Sequence, residues 1–218
     1  MDSLNQIIEL TNVKPDAGIG AVKSLCTQAL LHKFRAVCVN SAFIEPCYKE
    51  LRQHPEVLIV STAGFPFGSA SVRAKIYEAI VAGEQNASEI DYVLNVGYIK
   101  ERKDKETRSE IKQIIRNTAG LCKVKLIIEA PVLTEEEIVR VTTMAAEEGA
   151  YCIKTATGFS GPTTVDMVKT VRKALSGQKK ENPVLIKAAG GIKTTEDVNN
   201  MIKAGADLIG TSTIIEFE

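Results

Sequence analysis

Residues 151–159 read YCIKTATGF, and residues 184–192 read VLIKAAGGI. Each stretch opens with a short, mostly apolar run, continues through a lysine and ends in a loop that contains glycine. Short apolar runs bounded by turn residues are typical of strands that are buried on both faces of a parallel sheet. The two stretches therefore predict neighbouring strands of an α/β fold.

The same pattern recurs along the chain, and longer amphipathic stretches separate the apolar runs. The predicted strands are residues 7–10, 36–40, 57–62, 89–96, 124–130, 151–155, 184–188 and 207–210. Apolar residues three and four positions apart, with capping residues at the ends, predict helices over residues 19–32, 134–148, 163–175 and 194–204.

Strands that alternate with helices indicate an α/β fold with a parallel sheet. Eight such units without a break in composition predict one (β/α)8 TIM-barrel domain over residues 1–218. An open doubly wound sheet is the alternative. Only STIIEFE follows the last predicted strand, so the final helix is expected to be short or missing.

Composition excludes several classes of function. The 218 residues carry 27 basic and 27 acidic side chains, and a net charge of +0 gives no basic surface for nucleic acid. No apolar run is long enough for a bilayer, and the first residues lack the pattern of a signal peptide. The expectation is a cytoplasmic protein that binds neither nucleic acid nor membrane.

Cysteine and histidine counts limit the chemistry further. Five cysteines without a CxxC pair predict buried, reduced thiols. Two histidines are too few for a histidine-based zinc site or a Ser-His-Asp triad. We therefore expect neither a metal ion nor another cofactor.

Three charged residues lie inside otherwise apolar strands. Lys154 and Lys187 occupy neighbouring predicted strands, and Asp91 lies within EIDYVLNVG. A buried charge is costly, so each must be paired or functional. A single lysine of this kind often reaches the rim of the sheet or pairs with a carboxylate, but two on adjacent strands favour a function.

Paired lysines suit the chemistry of a Schiff base. The attacking lysine must be a neutral amine, and at the reference pKa of ~10.4 only about one lysine in 2,500 is neutral at pH 7. Burial and a second ammonium nearby both lower the pKa of such an amine. Asp91 then either moves protons through a water molecule or serves as a fixed counter-ion, and these roles are compatible.

A second group of residues predicts a phosphate site. Glycine and hydroxyl residues follow the last three predicted strands: Thr157-Gly158, Ala189-Gly190-Gly191 and Gly210-Thr211-Ser212-Thr213. Glycine lets backbone amides approach an anion, and the loops after strands seven and eight commonly bind phosphate in TIM barrels. The helix that follows GGIKTTED is also expected to favour an anion at its N-terminus.

These motifs resemble the deoxyribose-phosphate aldolase family, which consists of class I aldolases. The matching segments span almost the whole chain: NVKPDA, AVCVN, GFPFG, EIDYVLNVG, KLIIEA, IKTATGF, IKAAGGIKT and GADLIGTS. The resemblance implies reversible cleavage of 2-deoxy-D-ribose 5-phosphate to glyceraldehyde 3-phosphate and acetaldehyde, as a step in deoxyribonucleotide catabolism. It also implies a metal-free site and a homodimer.

The resemblance assigns roles to individual residues. Lys154 matches the Schiff-base lysine, Lys187 the lysine that tunes its pKa, and Asp91 the proton relay. The implied substrate-contacting or phosphate-binding residues are Thr11, Cys38, Thr157, Gly158, Gly190, Gly191, Gly210, Ser212 and Thr213. Cys38 is expected to line the pocket through packing rather than chemistry.

The sequence also departs from the family pattern. Glu9 stands where the family usually has aspartate, and Ala156 stands where it more often has serine. Two other functions stay open at this point. One is a TIM-barrel aldolase or transaldolase that acts on a different sugar phosphate. The other is an inactive barrel that only binds sugar phosphates.

Overall fold

Eight short parallel strands pair in chain order, and the eighth pairs with the first, so the sheet closes into a barrel. The computed structural model describes residues 2–176 and 183–217. Helices alternate with the strands along these residues. The prediction of a (β/α)8 TIM barrel is confirmed, and the alternative of an open doubly wound sheet is wrong.

All eight predicted strands are present. They are β1 Ile8–Asn12, β2 Ala36–Val39, β3 Leu58–Ala63, β4 Glu89–Val93, β5 Lys123–Ile127, β6 Cys152–Lys154, β7 Leu185–Ala189 and β8 Leu208–Thr211. The largest differences are at the ends of β4 and β5, which were predicted to reach residues 96 and 130 but end at Val93 and Ile127. β4 stops earlier because the Asn95 side chain accepts a hydrogen bond from the Tyr98 amide and caps the next helix.

The helices include the four predicted from the sequence, close to their predicted bounds. They are α1 Asp2–Asn5, α2 Ile19–Leu31, α3 Ile44–Leu51, α4 Val72–Glu84, α5 Val96–Lys100, α6 Asp104–Asn117, α7 Glu135–Glu147, α8 Val165–Leu175 and α9 Thr195–Ala204. No helix follows β8 in the described part of the chain, which ends at residue 217. The short or missing final helix is thus confirmed for that part.

Local sequence explains where the helices begin and end. Thr134 and Glu137 form a reciprocal capping box at the start of α7, as their spacing predicts. Gly205 ends α9 with a φ of 111°, a left-handed conformation that glycine adopts without strain. The local sequence therefore specifies where α7 begins and where α9 ends.

The strand side chains alternate between two environments. Apolar residues of one parity, such as Ile90, Leu126 and Ile186, are fully buried in the large core between strands and helices. Residues of the other parity point into the barrel, where only a small apolar cluster of Ala36, Cys38 and Val60 forms within the described residues. Charged side chains occupy much of the remaining interior.

The states of the cysteines and the lengths of the helices can be compared with the expectations drawn from composition. All five cysteines are free, four of them are buried, and Cys122 is half-buried. The prediction of buried, reduced thiols is therefore confirmed for four of the five cysteines, and burial of Cys122 is only partial. Among the helices of residues 2–176 and 183–217, none is both long and apolar enough to span a membrane.

A buried ion pair outside the barrel interior fixes the loop between β3 and α4. Lys75 on α4 is 1% exposed, and its Nζ donates to Glu110 Oε1 at 2.5 Å, to Gly68 O at 2.7 Å and to Val93 O at 2.8 Å. These three acceptors use the full donor capacity of the ammonium. Burial lowers the pKa of Lys75, and Glu110 opposes that effect.

We expect Lys75→Met to lower the free energy of unfolding by about 3 to 5 kcal/mol, because it leaves the Glu110 carboxylate buried without its cation. Urea denaturation measures this change. The control is Lys49→Met, which breaks the exposed ion pair between Lys49 and Glu45 and should have a small effect. An equal, small effect of both substitutions would contradict a structural role for the buried pair.

Candidate active site

The three charged residues predicted from the sequence meet inside the barrel. Lys154 is the last residue of β6, and Lys187 is its register partner on β7. Asp91 lies on β4, and its Oδ2 accepts hydrogen bonds from Lys154 Nζ and Lys187 Nζ, each at 2.7 Å. Both lysines and the aspartate are 3% exposed or less. One carboxylate oxygen is therefore shared by two lysine nitrogens in a nearly dry space.

Electrostatics fix the charge of two of these groups. Burial raises the pKa of the Asp91 carboxyl, but Lys125, Lys154 and Lys187 together outweigh burial and hold that pKa well below its usual value. Burial likewise lowers the pKa of Lys187, whereas Asp91 and Glu9 raise it above its usual value and prevail. Asp91 is accordingly a carboxylate and Lys187 an ammonium at neutral pH.

A third buried lysine, which was not predicted, lies directly below this group. Lys125 on β5 is fully buried, and its Nζ lies 2.6 Å from Glu89 Oε2, 2.8 Å from Glu9 Oε2 and 3.3 Å from Asp91 Oδ1. The sequence carries the same signal here as at Lys154, because Lys125 interrupts the apolar strand KVKLI. No glycine loop follows this strand, and for that reason the residue did not stand out.

Glu9 connects Lys125 with Lys187. Its Oε2 accepts from Lys187 Nζ at 2.5 Å and from Lys125 Nζ at 2.8 Å. Its Oε1 accepts from the Arg35 guanidinium at 2.5 Å. Glu9 is longer than the family's usual aspartate. It contacts Lys187 and Lys125, and it reaches Arg35 as well.

A cavity of about 530 Å³ opens above Lys154 at the carboxyl ends of the strands. Lys154 lines it, whereas Asp91 and Lys187 lie beneath and are fully buried. The other predicted residues that line it are Thr11, Thr157, Gly158, Gly190, Gly191, Gly210 and Ser212. The lining residues that were not predicted include Asn12, Lys14, Phe159 and Lys193.

Two predicted binding residues are not part of the cavity wall. Cys38 is fully buried on β2, and its Sγ donates to Asp91 Oδ2 at 3.6 Å. Burial and then Asp91 raise the pKa of the Cys38 thiol to about 11. Thr213 folds back so that its amide donates to Thr211 Oγ1 at 3.1 Å. Cys38 therefore packs below the site as a neutral thiol.

Close packing requires glycine at several points of the cavity wall. A Cβ added at Gly210 would lie 2.9 Å from Lys187 Cε, and one at Gly191 would lie 2.8 Å from Pro162 Cβ. Gly191 also has a φ of +80°, which side chains of other residues disfavour. The glycine loops thus allow both the close approach of the strands to Lys187 and the shape of the cavity floor.

The expected anion site at the N-terminus of α9 has a different arrangement. The amides of Lys193 and Thr194 donate to Asp197 Oδ2 at 2.9 and 3.0 Å. The helix N-terminus is thus occupied by its own acidic side chain, which is the usual partner of this end. An anion in the cavity can instead contact the glycine loops and the lining lysines Lys14 and Lys193.

A further unpredicted carboxylate holds the loop after β6. Glu129 is 3% exposed and has a φ of 55°, which is uncommon for a residue with a side chain. Its Oε2 accepts from the Thr157 amide at 3.2 Å. Burial raises the pKa of this carboxyl. No sequence motif signals the conformation of Glu129, which depends on contacts with the next βα unit.

Across residues 2–176 and 183–217, no three histidine, cysteine, aspartate or glutamate side chains form a group that could hold a metal ion. The carboxylates inside the barrel are instead paired with lysine and arginine side chains.

The closed barrel and the lysine-centred site at its carboxyl end define a TIM-barrel enzyme of the aldolase class. Residues 8–212 match the DeoC/LacD family aldolase, and the chain belongs to that family. It is 38% identical over 217 residues to the deoxyribose-phosphate aldolase of Natranaerobius thermophilus, a match that covers 99% of this chain and 96% of the relative.

Solved structures give the same result. An aldolase described as QR15 superimposes with a TM-score of 0.89 at 32% identity, covering 97% of this chain and 92% of that chain. A deoxyribose phosphate aldolase from Aeropyrum pernix, described as tetrameric, gives a TM-score of 0.86 at 26% identity. That match covers 97% of this chain and 87% of the other.

We expect Gly210→Ala to lower kcat for aldol cleavage by about tenfold to a hundredfold, because the new methyl group displaces the Lys187 side chain. Steady-state kinetics measure the change. Gly20→Ala is the matched control, since a Cβ at Gly20 on α2 meets no atom within 4 Å and should leave kcat unchanged. Full activity of Gly210→Ala would show that Lys187 has more freedom than its contacts suggest.

Proposed function

We propose that this aldolase cleaves 2-deoxy-D-ribose 5-phosphate reversibly to glyceraldehyde 3-phosphate and acetaldehyde, through a Schiff base on Lys154. The observation that carries the proposal is the pair of lysine nitrogens on one oxygen of Asp91, directly below the cavity. Lys154 is the member of that pair that lines the cavity. The names of the relatives support the choice of substrate.

The ion pairs of the barrel interior support Lys154 as the nucleophile. Lys125 contacts Glu9, Glu89 and Asp91, and Lys187 contacts Glu9 and Asp91. Lys154 contacts Asp91 alone among these three carboxylates, and it is the lysine of the three that lines the cavity. The neutral amine is the form that attacks an aldehyde.

The phosphate of the substrate fits the part of the cavity wall that the glycine loops form. Glycine residues at 158, 190, 191 and 210 expose backbone there, and Ser212 adds a hydroxyl. The lining lysines Lys14 and Lys193 add positive charge. A phosphorylated sugar bound in this way places its aldehyde end toward Lys154, which lines the same cavity.

The mechanism follows from these positions. Lys154 adds to the C1 aldehyde, and loss of water gives a protonated imine. Asp91, acting through a water molecule, accepts the proton of the C3 hydroxyl while the C2–C3 bond breaks. Glyceraldehyde 3-phosphate leaves, and the electron pair of the broken bond remains in an enamine on Lys154. Protonation of the enamine carbon and addition of water then release acetaldehyde and the free amine.

In the proposed mechanism Lys187 acts as a fixed positive charge beside Lys154. Its ammonium is fixed by Glu9 and Asp91 at 2.5 and 2.7 Å. It keeps a positive charge next to Lys154 throughout the reaction, and like charges nearby disfavour protonation of the attacking amine. A substrate panel distinguishes this reaction from cleavage of another sugar phosphate, and turnover itself distinguishes it from binding alone.

The homodimer stays a prediction of the family resemblance, and the cytoplasmic location stays a prediction of the sequence. A relative described as tetrameric supports self-association in the family without fixing the number of subunits for this chain.

Borohydride added with 2-deoxyribose 5-phosphate should attach the reduced substrate carbon to Lys154, as located by peptide mass spectrometry. We expect Lys154→Arg to abolish trapping and to lower kcat by on the order of 10⁴-fold or more, because the nucleophile is lost. Lys169→Arg, on the exposed face of α8, is the control and should be trapped like the original protein. Equal trapping of Lys154→Arg would refute the assignment.

Acetaldehyde release should be the same with and without excess EDTA. The interior carboxylates are paired with lysine and arginine side chains, so the proposed steps need no metal ion. Loss of activity on chelation, with recovery when a divalent cation is restored, would contradict the metal-free mechanism.

A further inference from the structure

Glu129 is a buried carboxylate that the proposed mechanism does not use. It follows the end of β5, and its backbone has the left-handed φ and ψ of 55° and 52°. Backbone bonds fix both neighbours: the Ile128 amide donates to Lys154 O at 3.1 Å, and the Ala130 amide donates to Thr155 O at 2.7 Å. Such conformations persist where the surrounding contacts impose them, and they are frequent at functional sites. The fold therefore fixes the direction of the Glu129 side chain.

The carboxylate of Glu129 holds the loop that follows β6. Its Oε1 and Oε2 accept from the Thr157 amide at 3.4 and 3.2 Å, and the Thr157 hydroxyl also hydrogen-bonds the carboxylate. Thr157 Oγ1 in turn accepts from the Phe159 amide at 3.1 Å. A hydroxyl can donate one hydrogen bond and accept another at the same time. One buried side chain thus fixes segment 157–159 through Thr157.

Segment 157–159 forms part of the cavity wall and packs against the loop after β7. All three of its residues line the cavity, as do Gly190 and Gly191. A Cβ added at Gly190 would lie only 3.3 Å from Gly158 Cα. In the part of the chain that the structure describes, the amides of Gly158, Gly190 and Gly191 have no protein acceptor. Backbone amides in such turns form concavities that bind anions, so these three stay available to a ligand.

We propose that Glu129 is a positioning residue for the phosphate of the substrate, because its hydrogen bonds to Thr157 hold the Gly158 amide beside those of Gly190 and Gly191. This role rests on the proposed function, in which the phosphate binds at the glycine loops. Glu129 is not among the residues that line the cavity. It therefore acts on the phosphate through segment 157–159 and not by contact.

A pair of substrates separates this role from a general one. 2-Deoxyribose 5-phosphate and 2-deoxyribose differ only in the phosphate, and both carry the aldehyde that reacts with Lys154. Glu129 also lies close enough to Lys154 to interact with it electrostatically. An effect of Glu129 on Lys154, or damage to the barrel, would impair cleavage of both sugars. Loss of the phosphate-binding geometry impairs cleavage of the phosphorylated sugar alone.

The test is steady-state kinetics of Glu129→Met, which keeps the length of the side chain and removes both acceptor oxygens. We expect KM for 2-deoxyribose 5-phosphate to rise by about tenfold, as for one lost hydrogen bond to a charged group, with kcat kept within about threefold. The value of kcat/KM for 2-deoxyribose should stay within about threefold of that of the original protein. Glu147→Met, which removes a surface carboxylate of α7, is the control and should change neither substrate.

Two conservative variants separate the hydrogen bond from the charge. Glu129→Gln keeps the length and one acceptor oxygen but loses the charge, and it should restore the original KM. Glu129→Asp keeps the charge but is shorter by one methylene, and aspartate tolerates the left-handed conformation. Because its carboxylate does not reach the Thr157 amide, Glu129→Asp should behave like Glu129→Met.

The proposal is overturned if Glu129→Met impairs both sugars equally or leaves KM for the phosphorylated sugar unchanged. It is also overturned if Glu129→Gln fails to restore KM, or if Glu129→Asp keeps the original value. Should Glu129→Met fail to fold, the comparison of the glutamine and aspartate variants decides the matter.

Binding of inorganic phosphate, measured by isothermal titration calorimetry, separates this role from the proposed function because it needs no turnover. Phosphate should bind more weakly to Glu129→Met than to the original protein and to Glu129→Gln. That pattern, in a protein that does not cleave 2-deoxyribose 5-phosphate, would refute the function alone. Cleavage by the original protein, with equal phosphate affinity in Glu129→Met, would refute the role of Glu129 alone. No phosphate binding by the original protein would overturn the anion site on which that role depends.

Discussion

One oxygen of Asp91 accepts hydrogen bonds from two lysine nitrogens inside the barrel, and this contact determines the rest of the site. Water has little access to this space, so every charge in it must be cancelled by another. Lys125 and Lys187 are held by carboxylates on two sides each. Lys154 is the one lysine of the three that also faces the cavity, and it meets Asp91 alone in the network.

The barrel makes this arrangement possible because its closure brings distant strands together. Glu9 on β1 reaches Lys125 on β5 and Lys187 on β7, contacts that an open sheet does not allow. The interior is filled by ion pairs where many TIM barrels have branched apolar side chains. The apolar core between strands and helices is correspondingly large, and it holds the strands in the register that the ion pairs need.

The sequence predicted the fold and the upper part of the site, because both leave local signals. Apolar runs predicted the strands, and apolar residues at helical spacing with capping residues predicted the helices. Lys154 and Lys187 stood out because each interrupts an apolar run. Lys125 also interrupts an apolar run, but it was not predicted because no glycine loop follows its strand. Arg35 and Glu89 lie at the starts of strands, where charged residues are usually solvated, and only closure of the barrel buries their contacts. The left-handed conformation of Glu129 has no sequence signal at all.

The most direct measurement is a crystal structure of the protein after borohydride reduction in the presence of 2-deoxyribose 5-phosphate. The account predicts continuous electron density from Nζ of Lys154 to the former aldehyde carbon, with Lys187 still bound to Asp91 and Glu9. Density that joins the substrate to Lys187 or Lys125 would contradict it. So would a structure in which Lys154 carries no adduct and Lys187 contacts neither carboxylate.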